Sequence, residues 1–263
     1  MPKRDTIRDH TSRSVAEAGA HAPAAESPHL EEQAYRTLRE ALIRGDFAPG
    51  QHLSIRRIAT ALGISVTPVR TCLRRLVAEQ CLDTGPGGTV VVPELRQAEF
   101  AEIMRLRAVL EPIAAARAAE IITDAELDAA AAHSSNGHQR RRDGDEREYQ
   151  LANYHFHFAI YRAARSPLLL SMIETLWVRR SPIMREAQPL LHSRGTDLHD
   201  ELMLALQQRD AARTESVLRA DIDRAGAFLI DRLRFPDDTD GAIGIATLKP
   251  LRHASGRAGI TRT

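Results

Sequence analysis

Leu53-Ser-Ile-Arg-Arg-Ile-Ala-Thr-Ala-Leu-Gly-Ile-Ser-Val-Thr-Pro-Val-Arg-Thr-Cys-Leu-Arg-Arg-Leu76 decides how this 263-residue chain folds. Ser54 stands where the short helix Ile55–Leu62 needs a cap, and Gly63 can enter the left-handed region and end it. Ser65 sits at the start of a second helix, whose first turn tolerates Pro68 because an amide there has no helical partner. Two short helices about a tight turn are the outline of a helix-turn-helix, and the second carries Arg70, Arg74 and Arg75.

Upstream, Leu30 to Arg44 places Ala34, Leu38, Ala41 and Leu42 at helical spacing, Gly45 is a stop, and Pro49-Gly50 is a turn. Downstream, Leu82-Asp-Thr, Gly85-Pro-Gly-Gly88 and Thr89-Val-Val-Val92 read as strand, tight turn and strand. Three helices and a β-hairpin make residues 29–93 a winged helix-turn-helix. Residues 95–234 contain no strand pattern; the spacing predicts helices at 97–121, 124–133, 145–164, 167–188, 196–208 and 210–234. Thr123-Asp-Ala-Glu126 fits a capping box and Ser166-Pro167 a cap followed by proline. Pro112 and Pro182 are expected to kink or interrupt their helices, and Asn136 to Gly144, with Arg140-Arg-Arg142, reads as an exposed loop or frayed helix. Residues 1–28 and 236–263 lack apolar periodicity and are expected to be disordered tails. The fold class is mainly α: a winged helix-turn-helix followed by an all-α bundle.

Composition agrees. Hydrophobic residues make up 43% but aromatics only 4%, which suits helices packed through Ala, Leu, Ile and Val. The formal net charge is +1, so a nucleic-acid surface here must concentrate its cations on one face. Only Lys3 and Lys249 are lysines; every other basic residue is Arg, the side chain suited to bidentate contacts. Cys72 and Cys81 form no disulfide framework, so a reducing cytoplasm is the expected location. No apolar run approaches the ~18 residues of a membrane span, and no apolar signal core follows Lys3 and Arg4, so no membrane partner is expected.

A helix that enters the major groove needs side chains at its N-terminal end for base edges and nearby cations for phosphates. Thr67 and Arg70, three apart, share a face; Arg56 in the preceding helix adds a phosphate or base contact. Gly87 and Gly88 at the hairpin tip let the backbone approach the minor groove closely.

In the second block, advancing about 100° per residue puts His157 on the apolar face of Asn153, Tyr154, Ile160 and Tyr161, with His155 opposite and solvated. His199 shares a face with Leu202, Met203 and Leu206, and Asp221 with Val217, Leu218, Ala225 and Phe228, whereas Asp223 points outward. Three inward polar residues on three helices require partners. A divalent metal (zinc, nickel, manganese or iron) meets that need; so does a hydrogen-bonded network, or the polar groups of a ligand. Arg107 and Glu111, four apart on an apolar face, read equally as a structural ion pair or as part of a binding wall.

Ala48-Pro-Gly-Gln-His-Leu-Ser-Ile-Arg-Arg-Ile-Ala59, followed by Gly63-Ile-Ser-Val-Thr-Pro-Val-Arg-Thr-Cys-Leu-Arg-Arg-Leu76, resembles the GntR family of bacterial transcription regulators. The second block resembles the all-helical ligand-binding domain (FCD) of its FadR-type branch, and the resemblance spans residues 30–232. It implies a ligand-responsive regulator, most often a repressor. Such a protein binds a palindromic double-stranded DNA operator as a homodimer and senses a small, carboxylate-bearing effector. Arg56, Thr67 and Arg70 match family DNA-contacting positions, and Gly87 or Gly88 the wing glycine. Val66 stands where the family usually has Arg, Thr71 where Glu is usual, and Ile55 replaces another Glu. Losing the Arg at 66 removes a guanine-reading fork worth about 1–3 kcal/mol of discrimination, so the resemblance implies a different operator sequence. The family's metal positions read Asn153, His157, His199 and Asp221, with Asn for the usual Asp and Asp for the usual last His. Three protein ligands would leave positions open for water or an effector carboxylate. The resemblance implies an Arg facing the cavity at the place of Arg107, able to pair the effector's carboxylate; Tyr154 and Arg180 are further pocket candidates that the resemblance does not mark. The alternative is a metal-dependent hydrolytic enzyme using the same His/Asp cluster. It lacks an inward base beside that cluster and leaves the first block without a purpose.

Overall fold

A computed structural model describes residues 27–194 and 198–236. Helix α1 (Ser27–Ile43) packs on the helix-turn-helix formed by α2 (Ile55–Leu62) and α3 (Val66–Ala78). Its apolar face, with Leu38, Leu42 and Ile43, joins Val69, Cys72, Leu73 and Leu76 of α3 in the core. Ser54 Oγ accepts the Arg57 amide at the start of α2, while Ser65 occupies the cap position of α3 without a side-chain bond. Gly63 ends α2 at φ 67°, which lets its own amide and that of Ile64 reach back to the last turn.

The wing is a three-stranded antiparallel sheet ordered β1–β3–β2, from β1 (His52–Leu53), β2 (Asp83–Thr84) and β3 (Val90–Val91). The hairpin lies where the sequence predicts it; β1, which pairs His52 with Val91 and Leu53 with Val90, is too short to show an alternating pattern. A 3-10 turn at Pro86–Gly88 forms the tip, with Gly87 and Gly88 at φ 68° and 75°. No atom would lie within 4 Å of a Cβ at either glycine, so it is the backbone conformation that selects glycine there.

Beyond the wing run α4 (Gln97–Ile121), α5 (Asp124–Arg142), α6 (Glu146–Ala163), α7 (Pro167–Arg194), α8 (His199–Gln207) and α9 (Ala211–Arg232). Helices α4 and α9 pack along their lengths, as do α5 and α6. Alanines 108, 114, 115, 118 and 119 make the buried side of α4 smooth enough for close approach. An aromatic cluster joins α6 to α7, where Tyr154 and Phe158 pack with Trp177, and Tyr161 with Phe158 and His157.

Several boundaries differ from expectation. Helix α5 continues to Arg142, past the expected end at 133, through the stretch read as an exposed loop or frayed helix. Gly137 is buried against Ala152 and Tyr149 of α6, so it serves as a packing contact. The three arginines of the last turn favour its carbonyl end, and the stop falls at Gly144 (φ 71°). Pro112 and Pro182 lie inside α4 and α7, and neither ends its helix. Ser27 and Pro28, assigned to the first tail, open α1; the rest of that tail, residues 1–26, and residues 237–263 of the second lie outside the described residues, as do 196 and 197 at the expected start of α8. His155 is half-buried and stacks on His133 at 5.4 Å, where periodicity had placed it in solvent. Among the described residues, no helix is long and apolar enough to cross a membrane.

The two blocks meet through α1, α6 and α7. Arg39 of α1 pairs with Glu174 of α7 at 3.4 Å. Arg179 of α7 donates to Asp83 Oδ1 at 2.6 Å and to the Gln80 carbonyl at 3.1 Å, clasping the segment between α3 and the wing.

Two measurements test this architecture. Gly63→Ala has room for its methyl group but forces a left-handed backbone, so it should lower stability by about 1 kcal/mol, read from the urea midpoint at unchanged m. Burial pushes the thiols of Cys72 and Cys81 up to about 12. Neither should react with a thiol reagent at pH 8 until the protein is unfolded, when both should titrate.

Candidate functional site: an arginine-bearing helix pair and a buried polar cavity

Arg56 on α2 and Thr67, Arg70 and Arg74 on α3 are exposed, and among the described residues none of the three arginines has an ion-pair partner. Arg75 differs from its neighbours. It binds Glu79 at 2.9 Å and Glu32 at 3.0 Å and lies 3.6 Å from the Tyr35 ring centroid, so it fastens α3 to α1 and does not belong to the open arginine face. Val66, in the first turn of α3, is 41% exposed, an apolar residue on a surface otherwise rich in donors. Thr71 returns its hydroxyl to the Thr67 carbonyl.

Inside the second block, one cavity of about 80 Å³ brings Asn153, His157, His199 and Asp221 together, with Arg107, Trp177, Arg180 and Met184 in its wall. His157 Nε2 lies 3.2 Å from His199 Nε2. Ligand atoms of His157, His199 and Asp221 all fall within 4.8 Å of one another. Helices α6, α8 and α9 each contribute one of the three, as their inward faces require.

Glu111 is fully buried and organises the deep wall. It accepts Arg107 Nε at 2.6 Å and Nη2 at 3.2 Å, Trp177 Nε1 at 2.8 Å, and the Tyr161 hydroxyl at 2.6 Å. Tyr161 Oη, having given its proton to Glu111, can accept only from His157 Nδ1, 3.2 Å away. That fixes the tautomer: His157 carries its proton on Nδ1, and its Nε2 lone pair faces His199 and Asp221. Burial, then the neighbouring His199, Arg107 and Arg180, hold His157 well below the usual histidine range, so the ring stays neutral.

A metal ion fits this donor set. Two imidazole Nε2 atoms 3.2 Å apart are spanned by two metal–nitrogen bonds of about 2.0–2.1 Å. The carboxylate comes from a third helix, and Asn153 lies at the same wall.

The other expected residues divide. Arg107 reaches the cavity, but its fork is closed on Glu111, so the ion-pair reading describes it. Tyr154 is not in this wall. It is buried against Phe158 at 4.2 Å and borders a separate cleft of about 370 Å³ between α1, α6 and α7. Arg180, by contrast, is in the cavity wall, 4% exposed, with its guanidinium 4.5 Å from the Trp177 ring centroid. Sequence reasoning missed Trp177 in the cavity wall and Tyr161 behind it, bonded to Glu111 and His157. Tyr161 was findable as the fourth residue after His157 on the same inward face, whereas nothing local marks Trp177.

Two family models match the chain: "Bacterial regulatory proteins, gntR family" over residues 30–92 and "FCD domain" over 102–224. The HTH-type transcriptional regulator McbR of Escherichia coli is 33% identical over 182 residues, covering 68% of this chain and 82% of McbR. The HTH-type transcriptional repressor GlaR of the same organism is 28% identical over 204 residues, covering 70% and 89%. The solved structure of E. coli McbR/YncC superposes with a TM-score of 0.68 at 31% identity, over 77% of this chain and 97% of that one. A regulator from Rhodococcus sp. RHA1 shares the fold at a TM-score of 0.61 and 21% identity, over 78% and 99%. These relatives are transcription regulators, which leaves the hydrolase alternative without support. With the helix-turn-helix and wing matched over 30–92 and an all-helical block behind them, this chain belongs to the GntR family of transcription regulators, in the FadR-type branch that carries an FCD domain.

Proposed function

We propose that the protein is a cytoplasmic, ligand-responsive repressor that binds a palindromic double-stranded DNA operator as a homodimer. Its FCD cavity senses a small carboxylate beside a divalent metal. The observation that carries this reading is the open face of Arg56, Thr67 and Arg70 at the helix-turn-helix, joined through α7 to a cavity that gathers His157, His199, Asp221 and Asn153. The α3 N-terminus enters the major groove, where Thr67 and Arg70 meet base edges and Arg56 a phosphate, while Gly87 and Gly88 bring the wing to the minor groove. Val66 removes a long donor from the reading end of α3, so the operator differs from one read by Arg at that place. Repression is supported by the likeness to GlaR, a repressor.

The homodimer is supported by an exposed apolar stripe on α4, where Leu106, Val109 and Ile113 are each 44–49% exposed at helical spacing. In the cavity, His157, His199 and Asp221, with Asn153 beside them, would hold the ion. When bound, it supplies a Lewis-acidic position for an effector oxygen. The effector acts by binding the DNA-competent and DNA-incompetent arrangements with different affinity.

Footprinting on genomic fragments tests the DNA reading. The wild type should protect two half-sites related by a two-fold axis, with affinity falling steeply as salt rises. Arg70→Ala should bind about 10- to 100-fold more weakly with unchanged circular dichroism. Ile113→Glu should protect neither half-site and sediment as a monomer. Absence of any footprint at low salt sinks the reading. For the metal, protein purified without a histidine tag should carry close to one equivalent of zinc, nickel, manganese or iron per chain, and His157→Ala should carry none. Apo protein that takes up no added ion would leave His157, His199 and Asp221 as a hydrogen-bonded network only.

A further inference from the structure

Among the described residues, Arg180 is a strongly buried charge in the cavity wall with no ion-pair partner of its own. It lies on α7, three residues after Trp177, is 4% exposed and has its Nε enclosed without a hydrogen-bond partner. Among the described residues it forms no ion pair and no hydrogen bond. Nearby Glu111 is filled by Arg107, Trp177 and Tyr161, and Asp221, in the cavity wall itself, groups with His157 and His199. What Arg180 does contact is the face of Trp177, at 4.5 Å, a site it shares with Arg107 at 4.6 Å on the same ring. Burial and the nearby Arg107 both work against its charge. A buried guanidinium left in this state is costly unless something brings the missing negative charge.

We infer that Arg180 is the anion anchor of the sensing cavity, and that its ligand is a compact carboxylate held by the Arg180 fork against the indole of Trp177. The inference rests on reading this cavity as the effector site and adds to it the anchoring residue and the ligand's size. Arg107 was the expected anchor, but its Nε and Nη2 are committed to Glu111 and its Nη1 to Met104 Sδ, while among the described residues the Nη end of Arg180 has no hydrogen-bond partner. A planar carboxylate matches that fork in two parallel hydrogen bonds. A cavity of about 80 Å³, against about 10–15 Å³ for one water, takes roughly five to eight non-hydrogen atoms. That fits short hydroxy-, oxo- or dicarboxylic acids better than acyl chains or sugars. The wall suits such a ligand, because Met184 and Trp177 offer apolar surface between the arginine and the histidines.

Trp177 is the chain's single tryptophan, so its fluorescence reports on this cavity alone. The protein would be titrated with glycolate and malonate, with malonamide as the uncharged counterpart, azelate as a longer dicarboxylate and inorganic phosphate as another anion. Ligand-induced shifts in melting temperature give a second readout. Glycolate or malonate should change the signal saturably; malonamide and azelate should not, and phosphate should bind more weakly. Arg180→Met should weaken malonate at least tenfold and, without ligand, melt no lower than the wild type, because it removes an orphaned charge while keeping the volume. Arg180→Lys, which keeps charge without the fork, should fall between them and carries the comparison if the Met variant does not fold. Equal malonate binding by Arg180→Met overturns the inference. So does equal binding of malonamide, tighter binding of phosphate, or no response to either small carboxylate. A ligand-free Arg180→Met that folds but melts well below the wild type would show a structural role and overturn it too. The assay contains no DNA, so its failure leaves the footprint standing, and loss of the footprint leaves this result standing.

Discussion

A single buried carboxylate sets the geometry of the FCD domain. Glu111 sits at the centre of α4, α6 and α7 and accepts hydrogen bonds from Arg107, Trp177 and Tyr161. Taking a carboxylate out of water is expensive, and the cost is offset only when its lone pairs are filled by charged and neutral donors with good geometry. Each donor is thereby locked: Trp177 presents its ring to the cavity, and Tyr161 can only accept from His157. The orientation of a histidine on α6 therefore depends on a glutamate on α4. Breaking a buried pair by removing one partner typically costs about 3–5 kcal/mol, so this arrangement leaves little freedom to drift.

Helix α7 belongs to both halves of the protein. Trp177 and Arg180 face the cavity, while Glu174 and Arg179, one turn or less away, hold Arg39 of α1 and Asp83 of the wing. A packed helix moves as a unit, since its interior contacts resist continuous deformation. A ligand that displaces the Arg180 end therefore acts on the same rigid element that positions α1 and the base of the wing. This gives the proposed regulation a physical route. Its strength depends on how differently the ligand binds the two arrangements.

The helix-turn-helix was legible in the sequence because its signals are local: Ser54 as cap, Gly63 as left-handed stop, and Pro68 in a first turn. The inward placement of His157, His199 and Asp221 was legible because helical period alone assigns a face. What local pattern could not supply was the company those faces keep. Tyr161 and Trp177 lie 50 and 66 residues from Glu111, and no spacing rule links them. Gly137 misled for a related reason: alone it reads as a loop residue, but packed against Ala152 it lets α5 run on. Tyr154, on the same inward face as His157, was turned into a different cleft by the neighbouring aromatic residues.

The sequence by itself determined the order of helices, the DNA-reading outline and the residues pointing inward, because capping, periodicity and glycine's conformational range act within a few residues. The tertiary structure decided which inward residues share one cavity and which arginine is spent. Arg107 and Arg180 look alike in the sequence. Only packing shows that Glu111 closes the first and leaves the second facing the cavity with no ion-pair partner among the described residues, because the neutralisation of a buried charge depends on what surrounds it in space.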